Sequence, residues 1–188
     1  MSEKKVPTNA PASATKKAPS VVVVNTGDGK GKSTAAFGTA LRAVARGWKV
    51  CVIQFIKSDE WKVGERQSAV KLGVEWWTIG DGFTWDSKDM ERSEAVAREA
   101  WRVASDKMRS GDYGLVVLDE ITYPMNWGWI PTAEVVEAIR TRPPSVNVIA
   151  TGRDAPEGLI ALADTVTEMR KVKHAFDEGV RAIRGIDF

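Results

Sequence analysis

The residues best suited to chemistry lie between positions 26 and 34, where the chain reads Thr26-Gly27-Asp28-Gly29-Lys30-Gly31-Lys32-Ser33-Thr34. Three glycines let the backbone turn tightly, so that successive N–H groups point inward and form a cradle for an anion. Lys30 and Lys32 repel each other unless an anion lies between them. The Ser33 hydroxyl suits a hard cation such as Mg²⁺. The loop follows a valine run and opens a helical segment, which is the setting a phosphate-binding loop requires. The match to G-x-x-x-x-G-K-[ST] is imperfect, because Thr26 stands where the first glycine belongs. Gly27 and Gly29 supply flexibility one step along. A glycine turn that binds nothing is the plainer alternative; the paired lysines and the strand–loop–helix setting favour phosphate. The glycines do not form G-x-G-x-x-G, which disfavours a dinucleotide site.

A second group closes an apolar run: Leu115-Val116-Val117-Leu118 ends in Asp119-Glu120. Carboxylates at a strand end near a phosphate loop can hold Mg²⁺ directly or through water. Such a strand is expected beside the first one. Glu120 has the longer reach and Asp119 sits nearer the sheet. The pattern does not choose between them, and both are expected to contribute. A solvated strand end is the bland alternative.

What is missing is equally informative. The chain has one cysteine, Cys51, and one histidine, His174. No internal disulfide is possible, a reducing compartment is expected, and the one imidazole, far along the chain, argues against a Ser/His/Asp set. Cys51 falls mid-strand and reads as a small buried hydrophobe rather than a nucleophile. Chemistry on this scaffold therefore positions a triphosphate and leaves the attack to another species.

The elements that must position these groups alternate. Strands are predicted over residues 21–24, 49–55, 74–79, 115–118, 146–151 and 165–169. Helices are predicted over 33–46, 89–109, 131–140 and 155–163, with mixed structure over 57–73 and an aromatic loop over 80–88. The 89–109 helix carries an apolar stripe of Ala97, Trp101, Ala104 and Met108. Alternation with short connections implies a three-layer α/β fold: a mostly parallel sheet with helices on both faces. Residues 1–20 are rich in Lys, Pro, Ala and Ser and read as a disordered tail, leaving 21–188 as one domain. In a chain of 188 residues with a formal charge of +2, the tail holds Lys4, Lys5, Lys16 and Lys17 against Glu3. The remainder is slightly acidic, which argues against a broad nucleic-acid footprint. No apolar run approaches a membrane span and no secretory signal core is present, so a cytoplasmic protein without membrane association is expected. Tryptophan is over-represented, with eight among the fifteen aromatics.

From residue 21 onward the chain resembles the ATP:corrinoid adenosyltransferases built on a RecA-like phosphate-loop fold. The resemblance rests on ordered segments: the loop at 26–38, with Thr in place of the first Gly as in that family; Gly82-Phe83-Thr84-Trp85; the strand end at 117–123; Thr151-Gly152-Arg153; residues 163–167; and residues 173–176 with 185–188. It implies transfer of the 5′-deoxyadenosyl group of ATP to the Co(I) centre of a reduced corrinoid, with triphosphate as leaving group, in cobalamin synthesis or salvage. Thr26, Gly27, Asp28, Gly29, Lys30, Gly31, Lys32, Ser33 and Thr34 would form the ATP cradle. Ser33, Asp119 and Glu120 would hold Mg²⁺. Phe83 and Trp85 would press on the lower corrin face and keep an axial ligand off cobalt, easing reduction of Co(II). The family further implies a reduced flavoprotein donor and a homodimer.

Other residues admit two uses. Trp127 and Trp129 either line a corrin pocket or pack in the core. Trp101 reads as core. Trp76 and Trp77 face opposite ways in a strand, so one of them is expected to be buried. His174 reads as structural, and Arg153 either reaches a phosphate or corrin carboxamide or caps a helix. The competing functions are a phosphotransferase or NTPase acting at the γ-phosphorus, and a nucleotide-gated binding module.

Overall fold

The structure is a computed structural model that describes residues 15–57, 64–80 and 90–187. Its centre is a six-stranded sheet in which every pairing is parallel. The strands are β1 (Val22–Thr26), β2 (Val50–Phe55), β3 (Glu75–Ile79), β4 (Leu115–Asp119), β5 (Asn147–Thr151) and β6 (Thr165–Glu168), in the spatial order β3-β2-β4-β5-β1-β6. The helices are α1 (Lys32–Ala45), α2 (Gly64–Lys71), α3 (Met90–Ser110), α4 (Thr122–Asn126), α5 (Thr132–Arg140) and α6 (Glu157–Leu162).

The interior strands are β-branched and apolar, and alternate residues feed two cores. Cys51, Ile53 and Phe55 of β2 pack with Ala100, Trp101, Ala104 and Met108 of α3 and with Val135 and Ile139 of α5. Val50 and Val52 face the other way, toward Ala36, Phe37 and Ala40 of α1 and Ala69 of α2. A strand buried on both faces has no polar side to show, which is why β2 as far as Ile53 and β4 as far as Leu118 read as apolar runs. The expected three layers, with helices on both faces, are present. The stripe of Ala97, Trp101, Ala104 and Met108 is buried as expected.

Several expectations change. The acidic strand β4 is not beside β1, because β5 lies between them. β5 leaves β4 through α5 and inserts into the gap, and order among non-consecutive strands leaves no trace in local pattern. At about 4.8 Å per strand, the phosphate loop and the acidic pair are therefore about 10 Å apart along the sheet edge, with the end of β5 between them. Helix α4 was not anticipated, since Pro124 within it suppresses a helical reading. Neither Trp76 nor Trp77 is fully buried: Trp76 is half-buried, 4.9 Å from the Phe37 ring, and Trp77 is exposed.

Candidate functional site

The C-terminal ends of the parallel strands gather the predicted chemistry on one edge. β1 delivers the glycine loop, and α1 begins at Lys32 behind Gly31, which sits at φ 116°. No side chain caps this helix start, which leaves its first-turn amides without a side-chain acceptor. The loop is pressed against the residue after β6. A side chain on Gly27 or Gly29 would come within 2.6 Å of the Met169 carbonyl, so only glycine fits there. Lys32 folds over the cradle, and its Nζ donates to the carbonyls of Gly27 and Gly29 at 2.7 Å each. Burial, and then the charge of Arg153, hold the Lys32 amine below its ordinary pKa, against the opposing pull of Glu120, Asp28 and Asp119. Ser33 is half-buried and Thr34 exposed at the start of α1. Lys30 reaches outward and pairs with Asp187 near the C-terminus.

The acidic pair stands on the far side of β5, and its two members differ. Asp119 is fully buried and both its oxygens are engaged. Oδ1 accepts from the Thr151 hydroxyl at 2.8 Å; Oδ2 accepts from Gln54 Nε2 at 2.9 Å and lies 3.4 Å from Lys57 Nζ. Glu120 occupies the left-handed region at φ 64°, an uncommon conformation for a residue with a side chain. Its N–H donates to Thr151 Oγ1 at 2.9 Å, while its carboxylate has Lys57 Nζ at 3.9 Å. Burial, and then the Asp119 charge, push the Glu120 carboxyl up, more than Lys57, Arg153 and Lys32 pull it down. Glu120 thus offers the less neutralised carboxylate. Ser33 and Glu120 are hard oxygen donors of the kind Mg²⁺ takes, whereas both Asp119 oxygens are already engaged.

Three contributors escaped sequence reasoning. Gln54 is the register partner of Asp119 across β2 and β4. A glutamine inside the run VCVIQF was the signal. Lys57 follows a γ-turn: Ile56 sits at φ 71°, and the Lys57 N–H donates back to the Phe55 carbonyl at 2.8 Å. That turn is strained for a β-branched residue, and it aims Lys57 at the carboxylates. Burial lowers the Lys57 amine pKa, but Asp119 and Glu120 outweigh it and the net shift is upward. Thr151, named above only within the Thr151-Gly152-Arg153 segment and without a role, joins Asp119 to Glu120.

Arg153 lies between the two halves. Its Nε is 3.4 Å from Asp28 Oδ1 of the phosphate loop, and its Nη1 donates to the Tyr123 hydroxyl. Beyond it run the rings of Tyr123, Trp127 and Trp129, with centroids 5.7 and 4.7 Å apart. Trp127 is exposed and Trp129 half-buried, so this pair is not core. Trp101 is core, with its Nε1 donating to Glu134. His174 accepts the Phe176 N–H through Nδ1 and caps a single 3₁₀ turn, a structural use. Cys51 is buried, and burial pushes its thiol up to about 12, which removes it as a nucleophile. Phe83 and Trp85 lie outside the described residues.

A parallel α/β sheet whose first strand turns through a glycine-and-lysine loop into a helix, with carboxylates at the end of β4 across β5 from that loop, is the architecture of phosphate-loop NTPases. Within that class, residues 18–188 match the family model described as ATP:corrinoid adenosyltransferase BtuR/CobO/CobP, and the chain belongs to that family. It is 48% identical over 168 residues to the corrinoid adenosyltransferase of Escherichia coli K12, covering 89% of this chain and 85% of that one. It is 45% identical to the corrinoid adenosyltransferase CobA of Salmonella typhimurium over the same shares. With the corrinoid adenosyltransferase of Pseudomonas aeruginosa it shares 43% identity over 170 residues, 89% of this chain and 83% of the other.

Proposed function

We propose that this enzyme transfers the 5′-deoxyadenosyl group of ATP to the cobalt of a reduced corrinoid, in cobalamin synthesis or salvage. Family membership supports the reaction class. The observation that supports the mechanism is a glycine-and-lysine loop at an uncapped helix start, with Lys32 folded over it and the chain's one cysteine buried in β2. The Co(I) substrate supplies the electron pair. That pair forms a Co–C bond to the ATP 5′ carbon as the C5′–O bond breaks, triphosphate departs with the C5′–O bonding pair, and cobalt ends formally as Co(III).

The residues 26–34 bind the triphosphate. Lys32 leaves the Gly27 and Gly29 carbonyls for the phosphate oxygens, and the α1 amides and Lys30 add positive field. Mg²⁺ held by Ser33 and Glu120 would neutralise part of the triphosphate charge. Asp119, already tied to Thr151, Gln54 and Lys57, fixes the position of Glu120. Phe83 and Trp85 press on the corrin and displace its axial ligand, with Trp127 and Trp129 extending the flat surface. A reduced flavoprotein supplies electrons, and the enzyme works in the cytoplasm as a homodimer. No helix among the described residues is long and apolar enough to cross a membrane.

The test is an incubation of the protein with ATP, Mg²⁺ and chemically reduced cob(I)alamin. The expected products are a light-sensitive alkylcobalt spectrum and free triphosphate; ADP and phosphate alone would overturn the reading. Trp85→Ala should lose more activity starting from Co(II) than from pre-reduced Co(I). Equal loss in both assays removes the ligand-displacing role.

A further inference from the structure

The Arg153 backbone is fixed more firmly than its side chain. Gly152 sits at φ 141° and packs so closely on Thr122 that any side chain there would collide with the Thr122 hydroxyl. That hydroxyl donates to the Arg153 carbonyl at 2.6 Å, and Asn126 Nδ2 donates to the carbonyls of Arg153 and Asp154 at 3.3 and 3.0 Å. Asp154 takes up a left-handed φ of 51°, and the Ala155 N–H donates to Thr26 Oγ1 at 3.1 Å. Strained and glycine-only conformations of this kind persist where the surroundings impose them. Here α4 on one side and the phosphate loop on the other hold residues 152–155 in place.

The guanidinium that this scaffold presents is poorly matched. Its side chain is 47% exposed, its ion pair among the described residues is with Asp28 at 3.4 Å, and Asp28 is itself 76% exposed. Its other partner is the neutral Tyr123 hydroxyl. A forked, always-charged donor seeks two oxygens of one anion. Its position just past the end of β5 lies between the cradle and the acidic pair.

We propose that Arg153 is a direct ligand of the ATP triphosphate, parked on Asp28 and Tyr123 until the nucleotide arrives. This rests on the phosphate-loop reading above and assigns it a ligand from outside the loop. Asp28 holds the guanidinium in the empty site and releases it to the phosphate oxygens. Because the triphosphate is the leaving group, its negative charge grows as the C5′–O bond breaks, and a guanidinium on it favours departure as well as binding.

Calorimetric titration of the full chain with inorganic triphosphate tests this without catalysis. Arg153→Met should weaken binding by about ten- to a hundredfold, the range of a charge-assisted hydrogen-bonded pair. Arg153→Lys should recover part of the loss by restoring charge without the fork. Asp28→Asn should strengthen binding by up to about fivefold, since it removes the competing carboxylate of an exposed pair. The melting temperature of Arg153→Met should stay close to that of the parent, because the backbone bonds remain. Unchanged triphosphate affinity in Arg153→Met overturns the proposal while leaving the phosphate loop intact. Weakening by Asp28→Asn, or a large fall in melting temperature with Arg153→Met, overturns it in favour of a structural role. Failure of the parent chain itself to bind triphosphate strikes the phosphate-loop reading, and Arg153 falls with it.

Discussion

The two edges of the sheet both gather charged side chains, and they treat them oppositely. At the N-terminal edge Glu75 accepts from Lys107 at 2.6 Å, Trp77 Nε1 at 2.7 Å and the Tyr113 hydroxyl at 2.5 Å. Lys49 and Lys107 lie over the Tyr113 ring. Although burial opposes ionisation there, these donors bring the Glu75 carboxyl down to about 2. At the C-terminal edge Glu120 is pushed up and Lys32 pulled down, each toward its neutral form. One edge is saturated and binds α3 to β3. The other is left short of partners, with strained backbone at Ile56, Glu120 and Asp154. A folded chain tolerates such deficits where a ligand completes them.

Lys32→Met breaks the comparison most severely. It removes the cation that now spans two loop carbonyls. ATP affinity should fall by about a hundredfold or more, read by calorimetry. Folding stability should move by less than about 1 kcal/mol, because the lost charge was already disfavoured by burial. A large stability loss with unchanged ATP affinity would make Lys32 a structural residue of the saturated kind.

Glu75→Gln attacks the other edge and should do the reverse. Stability should drop by about 1–2 kcal/mol in chemical denaturation, allowing for screening of this partly exposed group. ATP affinity should not change. The pH dependence follows in sign. A carboxyl depressed in the folded state contributes stability above its unfolded value, and that contribution fades as pH falls through its folded value. The parent's advantage over Glu75→Gln should therefore be full at neutral pH and disappear between about 4.5 and about 2. An advantage that persists below that window would refute the assignment.

Legibility in the sequence divides along the same line. The loop at 26–34, the carboxylates at 119 and 120 and the alternating elements were visible because each is written in contiguous residues. The insertion of β5 between β1 and β4 was not, since strand order is decided by crossovers that pack at long range. Gln54, Lys57 and Thr151 were missed for that reason: their use depends on a neighbour in a different strand. Glu75 and Tyr113 were missed for the same cause, being 38 positions apart and joined only by the pairing of β3, β2 and β4. Local pattern specifies what a segment can do, and the sheet decides which segments do it together.

Glu120→Gln gives the smallest expected effect and separates the two edges most cleanly, because its sign differs from that of Glu75→Gln. A carboxyl whose folded pKa is raised contributes stability at low pH and loses it as pH rises through the folded value. At neutral pH the Glu120 charge therefore works against folding, even with Lys57 at 3.9 Å. The neutral amide keeps the shape and the backbone bond to Thr151, and removes the repulsion from Asp119. Thermal denaturation without ligands should show a gain of up to about 1 kcal/mol, a rise of roughly 2–4 °C for a chain of this size. The same substitution should weaken Mg²⁺-dependent ATP binding while leaving metal-free triphosphate binding near its parent value. A more stable protein that handles the metal less well is the signature of a charge kept for its ligand. A less stable one would mean that Glu120 belongs with Glu75, as a partner that Lys57 already satisfies.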